Sequence, residues 1–130
     1  MKKSIYSLAA LLGLVLLCSA IQADQTLTRS NGSTFINTSS IGKKIRGFKS
    51  LTPVRIEIKG DKVVKVEALP NQETPQYFNQ AARLLRQYEG LTVKKAQRLK
   101  VDGVSGATYS SEALKQNVQL GLDYYRKNAK

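Results

Sequence analysis

The chain has 130 residues, the size of one domain, and a formal net charge of +12 from 21 Lys and Arg against 9 Asp and Glu. It contains no histidine and a single cysteine, Cys18. Since histidine is the usual general base and the commonest metal ligand, this composition excludes most side-chain catalysis, and any chemistry is expected to come from a cofactor.

Residues 1–23 are predicted to be a secretory signal peptide. Lys2 and Lys3 precede an uncharged apolar run over residues 5–17, and small residues follow up to Ala23. A retained membrane anchor is the alternative interpretation. It is less favoured, because the run is shorter than the roughly 20 apolar residues of a membrane span. Lipid modification of Cys18 is a third and less favoured interpretation, because a bulky leucine precedes it. We therefore expect an exported protein of the periplasm or cell envelope.

The next segment is predicted to be loose and the one after it to form a β-hairpin. Residues 24–45 are rich in Ser, Thr and Asn, which is typical of a polar lead-in that buries little. The domain is expected over residues 46–130. Apolar and polar residues alternate over 54–59 and again over 64–68, as in half-buried strands. Gly60-Asp61 between them is a two-residue turn signal.

A first amphipathic helix is predicted after the hairpin. Thr74 provides an N-cap with Pro75 at the first helical position. Apolar residues recur at helical spacing as far as Tyr88, and Gly90 stands where a C-terminal glycine is expected. Residues 91–101 are ambiguous, with a short helical turn as one interpretation.

A second amphipathic helix is predicted over residues 110–125, with Ser110 or Ser111 as its cap. The predicted fold is α+β: a small antiparallel β-sheet, with the hairpin as its core, packed with two main amphipathic helices.

The segment just before this last helix carries the chemistry. Residues 102–111 hold two glycines, one acid and four Ser or Thr hydroxyls. Glycine lets the backbone approach a ligand closely, and a helix start favours phosphate. A serine-rich loop that only caps the helix explains the same composition.

Ser105-Gly106-Ala107-Thr108, with Asp102 ahead of it, resembles the flavinylation motif of the FMN-binding domain family. That family includes the covalent-flavin subunits of the sodium-translocating NADH:quinone reductase and of Rnf complexes, and many small exported proteins. Gly47-Phe48 and Glu73-Thr74-Pro75 resemble two further elements of the family. The resemblance covers residues 47–125.

The resemblance implies FMN bound through a phosphoester to the hydroxyl of Thr108. It also implies a separate flavin transferase that takes FMN from FAD with a magnesium ion and reads the motif. Two further residues match an element near the flavin ring in relatives. The implied site residues are Asp102, Ser105, Gly106, Ala107 and Thr108 in the motif, and Glu73 and Thr74 upstream.

Aromatic residues near these elements are candidates for contact with the flavin ring: Phe48, Tyr77, Phe78 and Tyr109. The larger subunits of the family continue the Glu-Thr-Pro element with glycine, whereas this chain continues with Gln76-Tyr77. A differently shaped loop over the flavin is therefore expected.

The function implied is electron transfer by an exported flavoprotein with a redox partner still to be identified. The alternatives are a module that binds FMN or another phosphate ligand reversibly, and an envelope protein without a cofactor. The basic residues are scattered, as at Lys43-Lys44 and Lys94-Lys95, which argues against a nucleic-acid partner. They favour an anionic partner, such as an acidic redox protein or a membrane surface.

Overall fold

The computed structural model describes residues 25–129. The predicted signal peptide and Cys18 lie outside the described residues. Within residues 25–129, no helix combines the length and the apolar character that a membrane crossing requires.

One antiparallel sheet of four strands forms one layer of the domain. The strands follow chain order: β1 (Leu27–Ser30), β2 (Ser33–Asn37), β3 (Val54–Lys59) and β4 (Lys62–Ala68). In β3 the apolar side chains are buried and the alternate ones are more exposed, as the period of two predicted. Gly60 and Asp61 join β3 to β4 with φ of 56° and 62°, which is typical of a tight hairpin turn. The predicted hairpin is confirmed.

The expectation that residues 24–45 are a loose lead-in is wrong. Residues 27–37 form β1 and β2, and Ile36 is fully buried opposite Ile56. The turn between the two strands is Asn31-Gly32, with φ of 53° and 80°, the strongest short-range hairpin signal a sequence can carry. The composition is polar because most of β1 faces solvent. The folded part of the chain therefore begins well before residue 46.

Among the described residues, three α-helices complete the fold: α1 (Pro75–Ala82), α2 (Val93–Arg98) and α3 (Thr108–Asn128). The predicted α+β class is confirmed. The first helix tightens into a 3-10 helix over Arg83–Tyr88, whereas we expected α-helix throughout. The last helix is longer than the predicted 110–125 at both ends.

The N-terminal cap of α3 also differs from the prediction. The capping position is Ala107, without a side-chain hydrogen bond. Ser110 and Ser111 lie inside the first turn, and their hydroxyls bond elsewhere, to Glu73 and to the N–H of Val104. The serines do not cap the helix, because α3 begins at Thr108 and places both of them after its first residue.

Helix α3 packs on β2 and β3 through its buried apolar face and one buried polar side chain. Asn117 is fully buried; its amide nitrogen donates to the carbonyl oxygen of Thr52 at 2.8 Å, and its oxygen accepts from the hydroxyl of Thr38 at 2.9 Å. Gly121 allows close approach, because a Cβ there would stand 2.6 Å from Cδ1 of Ile56. These contacts hold the middle of α3 against the sheet and the segment that leads into β3.

Candidate functional site

A cavity of about 350 Å³ lies at the start of α3, within the volume range of small-molecule sites. Three chain segments form its walls: the loop before β3, the start of α1, and the end of the 102–108 segment with the first turn of α3. The residues that line it are Phe48, Thr74, Tyr77, Gly106, Ala107, Thr108, Tyr109 and Ser110.

Thr108 is the first residue of α3 and is exposed to solvent. The first N–H groups of a helix have no partner within it, and here neither a capping side chain nor an acidic residue occupies the first turn. The positive end of the dipole of a 21-residue helix therefore faces the cavity, and the first turn of the helix carries no acidic side chain of its own. An anion such as a phosphate is stabilised beside the Thr108 hydroxyl.

A tight turn over residues 104–107, the motif turn, delivers the chain to Thr108. The N–H of Ala107 donates to the carbonyl oxygen of Val104 at 2.9 Å, and the N–H of Val104 donates to the hydroxyl of Ser111 at 3.1 Å. Gly106 has a φ of +85°, and a Cβ added there would meet nothing within 4 Å. Glycine is favoured at this position by its backbone conformation and not by lack of space.

Three exposed aromatic rings surround the cavity mouth. The exposed fraction is 68% for Phe48, 49% for Tyr77 and 68% for Tyr109. The rings of Phe48 and Tyr109 are 6.1 Å apart between centroids and tilted by 39°. Exposed rings in such a cluster offer apolar faces to a planar ligand. Phe78, the fourth predicted ring neighbour, is buried in the core and does not line the cavity.

Glu73 lies behind the cavity, almost fully buried. Its Oε1 accepts from the N–H of Phe48 at 2.6 Å and from the hydroxyl of Ser110 at 2.8 Å. Its Oε2 accepts from the N–H groups of Lys49 and Ser50 at 2.7 and 2.9 Å. Gly47 permits this closeness, because a Cβ there would stand 2.9 Å from the Glu73 carboxyl carbon.

The carboxyl group of Glu73 is held in its charged form. Burial by itself raises the pKa of Glu73, but the hydrogen bonds donated by Lys49, Ser110, Phe48 and Ser50 outweigh burial and bring the pKa below its ordinary value. Because these bonds use both oxygens, the carboxylate is not free to contact a ligand in the cavity.

The structure brings together some of the residues implied by the motif and separates others. Thr74, Gly106, Ala107 and Thr108 line one cavity. Ser105 is exposed on the motif turn. Asp102 lines a separate groove, to which Arg83 also contributes. The cavity thus receives the end of the motif, and its beginning remains accessible from outside.

The sequence reasoning missed the function of Ser110 and of the three backbone N–H groups over 48–50. Ser110 was interpreted as a helix cap, and its partner Glu73 is 37 residues away in the chain. The sequence held two signals for this contact: Gly47, a residue small enough to allow another chain segment to approach, and the resemblance, which pointed to Gly47-Phe48 and to Glu73.

Among residues 25–129, no group of His, Cys, Asp or Glu side chains could hold a metal ion. The site combines a helix start that favours an anion, an exposed hydroxyl on Thr108 and aromatic faces for a planar ring. No described residue that lines the cavity is a general base for Thr108. This combination fits a phosphate-bearing heterocycle.

The comparisons with known proteins agree with this geometry. The family model for the FMN-binding domain matches residues 47–123, which include every residue that lines the cavity. The comparison with curated proteins and the comparison with solved structures each gave no match.

Proposed function

Because the chain belongs to the FMN-binding domain family and FMN is its cofactor, we propose that it is an exported flavoprotein that carries FMN on Oγ1 of Thr108 and transfers electrons. The observation that supports this most strongly is the position of Thr108. It presents an exposed hydroxyl at an uncapped helix start, inside a cavity rimmed by aromatic rings. FMN supplies the electron-carrying chemistry when it is bound.

The helix start explains how a phosphoester at Thr108 is stabilised. A phosphodiester keeps one negative charge, and the unpaired N–H groups and dipole of α3 favour a negative charge at this end. The first turn of α3 contains no acidic side chain that would repel it. The buried carboxylate of Glu73 keeps its charge, but both of its oxygens already accept hydrogen bonds from the chain.

The chain does not offer the groups needed to form this bond unaided. Transfer of FMN from FAD joins Oγ1 of Thr108 to phosphorus, breaks the anhydride bond, releases AMP and removes the hydroxyl proton. The chain has no histidine, and no free carboxylate lines the cavity. A separate flavin transferase with its magnesium ion is therefore proposed to remove the proton and assist the leaving group.

The proposal places the protein outside the cytoplasm, in the periplasm or cell envelope. Its support is the pattern of charges, apolar residues and small residues over 1–23. A covalent bond suits such a protein, because a released cofactor would be diluted away. The electron acceptor or donor is a partner protein that meets the exposed rim of the cavity.

Intact mass spectrometry of the denatured protein tests the attachment. The chain would be co-expressed with an exported flavin transferase, as wild type, as Thr108→Ala and as Thr92→Ala. Thr92 is the matched control, since it is a threonine at the start of α2 and away from the cavity. We expect one esterified FMN on wild type and on Thr92→Ala, and none on Thr108→Ala.

Two outcomes would contradict the proposal. If the transferase modifies another substrate but not this chain, and free FMN binds and is lost on denaturation, the protein is a reversible FMN module. The aromatic rim and the helix start would serve such a module equally well. If Thr108→Ala still gains flavin, the attachment residue is wrong.

A further inference from the structure

The three walls of the cavity meet at one side chain, Glu73. The first wall is the loop over residues 46–51, the Phe48 loop, which is closed by the bridge between Arg46 and Leu51 and by the bond from Gly47 N–H to the carbonyl oxygen of Ser50 at 2.8 Å. The second wall is the start of α1, which follows Glu73 directly. The third wall is the first turn of α3. The carboxylate bonds the first and the third, and the backbone joins it to the second.

Oε1 of Glu73 has the decisive position. It accepts from the N–H of Phe48 and from the hydroxyl of Ser110. Phe48 carries one ring of the aromatic pair at the cavity mouth, and the residue before Ser110, Tyr109, carries the other. One oxygen atom thus bonds the backbone of Phe48 on one side of the ring pair and the side chain of Ser110 on the other, two residues after Thr108.

The other described hydrogen bonds from α3 to this region, from Asn117 to Thr52, lie nine residues further along α3 than Thr108 and just after the Phe48 loop, so they do not hold the ring pair itself. The Phe48 and Tyr109 rings are largely exposed, so packing against the core does not hold them. The residues around Glu73 are adapted to the carboxylate: Gly47 leaves room for it, and Asn71 accepts from the Glu73 N–H at 2.9 Å and so orients the backbone at this point.

We infer that Glu73 is a positioning residue, whose carboxylate holds the Phe48 loop against the first turn of α3. The carboxylate thereby places the rings of Phe48 and Tyr109 beside Thr108, where they form the contact surface for the flavin ring, here called the seat. The inference rests on the proposed function for the identity of the ligand. Glu73 itself does not contact the ligand. The seat is formed by the chain's own hydrogen bonds, before and independently of the bond to FMN.

The first test measures the seat without any flavin. Nuclear Overhauser contacts between the Phe48 and Tyr109 rings would be recorded in wild type and in Glu73→Gln, Ser110→Ala and Glu89→Gln. Ser110→Ala removes only the link to α3, and it keeps the inference testable if Glu73→Gln does not fold. Glu89→Gln is the matched control, because Glu89 also accepts a backbone N–H, that of Val66 at 3.1 Å, and does not line the cavity.

The second test measures the seat after flavinylation. The fluorescence yield and the visible circular dichroism of the attached flavin report how closely aromatic rings contact it. We expect the rate of flavinylation, as kcat/KM, to fall about tenfold or more in Glu73→Gln, the size expected for a lost hydrogen bond to a charged group. In the first test, we expect Glu73→Gln and Ser110→Ala to lose the nuclear Overhauser contact between the two rings. In the second test, we expect the same variants to show stronger flavin fluorescence and weaker visible dichroism, because the aromatic rings no longer contact the flavin. Glu89→Gln should behave like wild type in both.

Two other outcomes distinguish the positioning by Glu73 from the covalent attachment of FMN. If Glu73→Gln and Ser110→Ala keep the ring contact and the flavin signals of wild type, Glu73 is a stabilising residue only and the inference is wrong. If wild type shows the ring contact and the variants lose it, but no chain takes up flavin, covalent attachment is refuted while the positioning by Glu73 stands.

Discussion

Gly106→Ala perturbs the motif turn in a way that separates backbone conformation from space. An added Cβ at Gly106 meets nothing within 4 Å, so the substitution brings no clash. The destabilisation comes from φ alone, because the left-handed backbone conformation costs a non-glycine residue about 1–2 kcal/mol of folding free energy. Alanine also reduces the conformational entropy of the unfolded chain, which stabilises the folded state by about 0.4–1 kcal/mol.

The net loss is therefore about 1 kcal/mol in the free energy of unfolding. The turn cannot relax cheaply, because the bonds from Ala107 N–H to Val104 and from Val104 N–H to Ser111 hold both of its ends. In urea unfolding followed by circular dichroism, this corresponds to a midpoint lower by roughly half to one molar.

Two companion variants make the reasoning refutable. Gly106→Asn is expected to lose less, because asparagine tolerates the left-handed region. Gly103→Ala is the matched control, since Gly103 has no positive φ and its added Cβ would make an ordinary contact of 3.4 Å with Cβ of Ser111; it should be neutral or slightly stabilising. Equal losses for Gly106→Ala and Gly103→Ala would show that φ is not the cause.

Two further variants test the buried polar groups. The folded state lowers the pKa of Glu73, so its ionisation stabilises the fold above the ordinary glutamate pKa of about 4.3, and this contribution disappears as pH falls through the lowered value. The stability difference between wild type and Glu73→Gln should therefore shrink between pH 6 and pH 3 in urea unfolding; a difference that does not change with pH would contradict this. Asn117→Ala leaves the buried Thr52 carbonyl without its donor and opens a cavity, at a cost of about 2–4 kcal/mol. Gln119→Ala, which removes an exposed bond to Asp123, should change stability by less than about 0.5 kcal/mol in the same assay, and comparable losses in both would argue against the buried network.

The sheet shows which parts of the fold the sequence could reveal. The hairpin of β3 and β4 was predictable because one face is buried, which imposes strict alternation on β3. Strand β1 faces solvent and carries polar residues, so composition suggested a loose segment. The Asn31-Gly32 turn and the buried Ile36 that follows were nevertheless readable.

The site shows where sequence reasoning ends. Resemblance pointed to Thr108, and the structure shows that α3 starts there, two residues earlier than the serines suggested. The function of Glu73 was out of reach, because its partners lie 23 to 37 residues away in the chain. Contacts of this length depend on the packing of whole elements and leave no local pattern.

The length of α3 also determines how the protein can be handled. Its 21 residues span about 30 Å, with Thr108 at one end; near the other end, Tyr125 contacts Asp61 in the hairpin turn and the carbonyl of Ala129 contacts Arg29. Residues 24–130 contain no cysteine. In a chain without Cys18, a thiol introduced in the last turn of α3 would therefore attach the domain to an electrode or a bead at a single point, with the cavity at the opposite end of the helix.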